Sequence, residues 1–65
     1  MCEANAYILD KDGNEQLFIK SVDKVIPSED GLTLVSIFSE QKKIKAFIKE
    51  MALLDHKIIL VEETR

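Results

Sequence analysis

A 65-residue chain whose single cysteine is Cys2 cannot staple itself with a disulfide, and that limit bears on every fold open to it. So short a chain buries only about 60 % of the surface its unfolded form exposes, and ordering it costs roughly 1.5 kcal/mol per residue. Small domains offset this with disulfides, a metal or a partner subunit. Here three routes remain: a second chain, a metal, or an unusually good core. Apolar residues make up 46 % of the chain and charged residues 32 %, the balance of one folded domain over residues 1–65.

The net charge of −3 does not direct the protein as a whole to nucleic acid or to an anionic membrane. No apolar run reaches the roughly 18 residues that a bilayer span needs. The opening Met-Cys-Glu-Ala-Asn-Ala lacks the basic start and apolar stretch of a secretion signal. A lipoprotein cysteine would need such a stretch before it, and only Met1 precedes Cys2. A cytoplasmic protein is expected, in which thiols stay reduced. A reduced, exposed thiol can bind a soft or borderline metal.

The chain is punctuated by Asp12-Gly13 and Asp30-Gly31, both turn dipeptides, with Pro27-Ser28 adding to the second break. Between the breaks the segments are short and β-leaning. Ala4, Ala6 and Ile8 alternate with Asn5, Tyr7 and Leu9. Leu17, Phe18 and Ile19 follow a turn over residues 10–14, as a strand pairing back would. Val22, Val25 and Ile26 are rich in β-branching. Pro27 cannot donate to a ladder, so it should end that strand or lie on an edge. Leu32 to Phe38 alternates again, and Ile58 to Val61 is a continuous apolar run suited to a buried central strand.

Residues 40–54 are ambiguous. As a helix, Ile44, Phe47, Ile48 and Met51 fall at i, i+3, i+4 and i+7, and Ser39 could cap it. As a strand, Ile44, Ala46 and Ile48 alternate with lysines and Phe47. Local pattern favours the helix, while the many short strands elsewhere count against it. The expected fold is therefore all-β, a small antiparallel β-barrel-like domain, since closing the strands on themselves removes exposed edges.

Other chemistry-bearing residues have plainer readings. His56, the only histidine, sits in Leu-Asp-His-Lys between two apolar runs and reads as a turn residue rather than a ligand, with Asp55 shaping the turn. Lys42, Lys43, Lys45 and Lys49 cluster, which could engage RNA phosphates. Phe47 is the one aromatic of that stretch, so the interleaved stacking residues of a single-strand binder are missing, and a solvated face is the better reading. Glu62 and Glu63 could be oxygen ligands, but adjacent strand residues point to opposite faces. Glu3 could tune a site near the N-terminus. Gly13 and Gly31 stand alone in turns, so no phosphate loop exists, and no nucleophile–base spacing marks an enzyme.

Three stretches carry a family resemblance: Met1 to Tyr7, Gly31 to Lys42, and Leu54 to Leu60. Together they resemble the CooT family, small nickel-binding proteins linked to maturation of carbon monoxide dehydrogenase. The resemblance covers almost the whole chain, with Cys2 and the matching length as its anchors. It implies a compact β-barrel-like homodimer, with Ni(II) held through the N-terminal cysteines of two subunits. It also implies strand for Lys42 to Glu50, against the local reading.

Cys2 suits that role through its position. Ni(II) accepts square-planar sites of nitrogen and sulfur. The thiolate and a main-chain nitrogen of one residue close a five-membered chelate ring. Removal of Met1 would make that nitrogen the free α-amine, with pKa near 8. One cysteine cannot complete four coordination; two chains meeting at their N-termini supply two thiolates and two nitrogens. Without the resemblance, a lone cysteine there reads as an ordinary small residue. The expected function is thus a homodimeric nickel carrier or metallochaperone serving a nickel enzyme. The alternative is a small RNA-binding barrel using the Lys42–Lys49 face.

Overall fold

The computed structural model describes residues 3–63, and every regular element among them is a strand. In chain order they are β1 (Ala4–Leu9), β2 (Glu15–Ser28), β3 (Gly31–Ser36), β4 (Gln41–Ile44), β5 (Ala46–Ala52) and β6 (Lys57–Glu62). They form one six-stranded sheet in the order β4-β3-β2-β1-β6-β5.

The first hairpin follows from its turn. Asp10 Oδ1 accepts hydrogen bonds from the amides of Asp12 and Asn14, both at 2.9 Å. Gly13 takes φ +86°, a conformation that glycine adopts without steric cost. Tyr7 then faces Leu17, and Leu9 faces Glu15, as the alternation requires.

β2 is long because it serves two neighbours. Glu15 to Val22 pairs with β1, and Val22 to Ser28 pairs with β3. Between these halves Ser21 sits at φ +54°, and the register shifts on both ladders nearby. A bulge bends a strand, so one element can run through both halves of a curled sheet. Pro27 lies one residue from the strand's end, opposite Leu32.

β3 buries Leu32, Leu34 and Ser36 on one face. The Ser36 hydroxyl accepts hydrogen bonds from the amides of Phe38 and Glu40, at 3.1 Å each, which turns the chain into β4. Ser39 occupies that turn at φ +69° and caps no helix. Ala6, Ile19, Val22, Leu32, Leu34, Ala46, Ile58 and Leu60 form the core, with Ile8, Phe18, Val25 and Ile44 packed against it.

The all-β expectation holds; one ambiguity is settled and two expectations change. Residues 40–54 are not helical: β4 pairs with β3, and β5 with β6, so long-range ladders outweigh the local helical spacing. The sheet is mixed, because β1 and β6 run parallel while the other pairs are antiparallel. Nor does it close as a barrel. The edge strands β4 and β5 are separated in the chain by Lys45 alone, which forces the sheet to curl, yet no ladder joins them among the described residues.

Candidate functional site

β1 begins at a junction of three segments. The Asn5 amide donates to the carbonyl of His56 at 2.8 Å, continuing the parallel ladder into the β5–β6 turn. On the other side, Asn5 Oδ1 accepts from the Ser21 amide at 3.0 Å. The Ser21 hydroxyl donates to Glu3 Oε1 at 3.2 Å, and the Ser21 carbonyl accepts from the Ile37 amide at 2.8 Å. The left-handed backbone of Ser21 thus presents its amide, hydroxyl and carbonyl to three different places. Serine and asparagine suit this work, since their short polar side chains bond to nearby backbone.

His56 is a turn residue, as the sequence implies. It has φ +55°, and its amide donates to the Leu53 carbonyl at 3.2 Å, while the Asp55 amide donates to that of Ala52 at 3.1 Å. The turns flanking the start of β1 expose large apolar side chains. Leu53 and Leu54 are 72 % and 97 % exposed in one, and Ile37 and Phe38 are 41 % and 78 % exposed in the other. Both turns reach Asn5 through no more than two hydrogen-bonded steps.

Cys2, the metal residue expected from sequence, lies outside the described residues; Glu3 follows it directly. Among the described residues no group of three or more His, Cys, Asp or Glu side chains is placed to hold a metal. Glu3 is tied to Ser21, and Glu62 stands at the far end of the sheet from the start of β1. There it helps line a cleft of about 880 Å³ with Ile8, Leu17, Phe18 and Val61. The Glu63 amide donates to the carbonyl of Lys45 at 2.8 Å.

The lysine cluster is divided by the fold. Lys42 Nζ donates to the carbonyl of Phe18 at 2.8 Å and stands 5.1 Å from the centre of its ring. That ammonium is spent inside the molecule, whereas Lys43, Lys45 and Lys49 are exposed. Elsewhere Lys57 Nζ meets Glu15 Oε1 at 2.8 Å beside the Tyr7 ring. That hydrogen bond holds the Lys57 ammonium above its usual pKa.

The junction residues Asn5 and Ser21 were not legible as a pair. The only signal was Lys20-Ser21, a polar step in an apolar run. Among the described residues, no helix is long and apolar enough to cross a membrane.

Residues 1–61 match the family model for CooT, the carbon monoxide dehydrogenase accessory protein. A crystal structure of CooT from Carboxydothermus hydrogenoformans is 51 % identical in sequence, with a TM-score of 0.90. The match covers 97 % of this chain and 100 % of that one. No curated protein sequence matches.

Proposed function

Because the chain belongs to the CooT family of carbon monoxide dehydrogenase accessory proteins, we propose that it binds Ni(II) through Cys2 and carries it to a nickel enzyme. The observation that carries this reading is the family match from residue 1, which takes in Cys2, over a fold that fastens the start of β1 on both sides. Each chain contributes one thiolate and one main-chain nitrogen. Two chains complete a four-coordinate site of the kind Ni(II) accepts. Nickel is cargo here, and its coordination deprotonates the thiol.

The homodimer belongs to the same proposal. Ile37, Phe38, Leu53 and Leu54 lie on the turns beside the start of β1, and apolar surface of this kind gains from cover. Phe38 alone offers on the order of 150 Å² to a partner. Bringing two such ends together sets the two N-termini near one another.

Native mass spectrometry tests both halves. One nickel per dimer is expected, with uptake abolished in Cys2→Ser while amide dispersion stays that of the folded protein. Nickel bound at one ion per monomer, or uptake unchanged in Cys2→Ser, overturns the proposal. Intact mass gives the state of Met1, and hence which nitrogen completes the chelate.

A further inference from the structure

Glu3 is the acidic side chain covalently next to Cys2, and the fold has already engaged it. Its Oε1 accepts from the Ser21 hydroxyl at 3.2 Å. Ser21 is itself held by its backbone: the amide donates to Asn5 Oδ1 at 3.0 Å, and the carbonyl accepts from the Ile37 amide at 2.8 Å. Those two bonds do not involve the hydroxyl, so the contact with Glu3 is separable from the fold. Ser21 belongs to β2, and the contact therefore draws the Glu3 carboxylate toward that strand.

A carboxylate one residue from a thiolate and a main-chain nitrogen is a third donor within reach of the same ion. β1 starts at Ala4, so Glu3 stands outside its ladders. A third donor changes what such a site prefers. Two thiolates and two nitrogens from two chains make the planar set that Ni(II) accepts. Oxygen added to nitrogen and sulfur suits Zn(II), which binds all three in tetrahedral sites. It also lets a single chain supply three donors, the number that an open zinc site takes from protein before a water completes it.

We propose that Ser21 sets the metal preference of the Cys2 site by holding the Glu3 carboxylate out of the coordination sphere. This rests on the reading of Cys2 as the nickel ligand and adds to it a residue that decides between metals. Ser21 touches no metal; it acts through Glu3.

The test loads the protein from an equimolar, chelator-buffered mixture of Ni(II) and Zn(II) and reads the bound metals by native mass spectrometry. In Ser21→Ala the ratio of bound metals is expected to move about fivefold toward zinc, the scale of one released hydrogen bond. Part of that zinc is expected at one ion per monomer. Ser21→Ala/Glu3→Ala should return the ratio to within about twofold of the parent. A merely structural Ser21 would weaken both metals together and would gain nothing from the loss of Glu3. Ser21→Gly also removes the hydroxyl, and glycine accepts the φ of +54° without strain, so it serves if the alanine variant unfolds. A ratio unmoved in both Ser21 variants, or a shift that persists without Glu3, overturns the inference alone. Nickel uptake unchanged in Cys2→Ser overturns the reading beneath it and the inference with it.

Discussion

Gly31 lies against the carbonyl of Ile44 so closely that no side chain fits between them. A Cβ at position 31 would collide with that oxygen and stand 2.9 Å from the Cα of Lys45, and Gly31 also holds φ +139°. This contact packs the start of β3 against the step where the chain leaves one edge strand for the other.

Gly31→Ala should therefore cost about 3 kcal/mol, from backbone strain and displaced packing together. Gly13→Ala is the control. Gly13 also has positive φ, but nothing lies within 4 Å of its added methyl, and about 1 kcal/mol is expected. Urea unfolding of both variants measures the difference. Equal losses would mean that the approach to Ile44 contributes nothing.

Lys42 and Lys43 are neighbours with opposite fates, and substitution should separate them. Lys42→Met gives up a hydrogen bond to Phe18 and an ammonium over its ring, at a cost of about 1–2 kcal/mol. Lys43→Met, on an exposed side chain, should stay within about 0.5 kcal/mol of the parent. Thermal and urea unfolding read this out directly.

Asn5→Ala should destabilise the protein by about 1–2 kcal/mol, because the half-buried Ser21 amide loses its acceptor. Asn5→Asp keeps an acceptor there and should recover most of the loss. Hydrogen exchange at Ser21 gives a local reading. Faster exchange in the alanine variant, with the core amides of Leu34 and Leu60 unchanged, places the effect at the junction.

The Lys57–Glu15 contact predicts a pH dependence. The folded ammonium titrates above 10.5, its ordinary value, chiefly because it donates to Glu15. A raised pKa gives stability that is fully present below the unfolded value and lost as pH rises through the folded one. The gap in unfolding free energy between the parent and Lys57→Met should therefore hold steady from neutral pH to about pH 9.5, then narrow above 10.5. A gap that grew with alkali would contradict the assignment.

Much of the strand content is legible in the alternation of Ala4 to Leu9 and Leu32 to Phe38, because a half-buried strand writes a period of two. Ile58 to Leu60 reads as a central strand, since covering on both faces leaves no polar positions, and all three are buried between β1 and β5. The stretch from Ile44 to Met51 misleads for a physical reason. Its apolar residues do not line one face: Ile44 belongs to β4, and Phe47 and Ile48 point to opposite sides of β5. Their helical spacing arises from two strands read as one element. The direction of β6 relative to β1 leaves no trace in periodicity. At the site, the family resemblance singled out Cys2, whereas the Asn5–Ser21 junction depends on a bulge that composition does not mark.

The parallel pairing of β1 with β6 has a consequence for timing. During synthesis β1 emerges first, and β6, its parallel neighbour, emerges last of the six. Pairing across such a separation is slow, because loop closure precedes any gain from contact. Until Lys57 to Glu62 has docked, Asn5 lacks the carbonyl of His56 and the start of β1 is fastened on one side only. In the arrangement proposed for Cys2, metal capture would follow that docking, since a nascent or truncated chain ending before β6 keeps only one of the two fastenings at the start of β1.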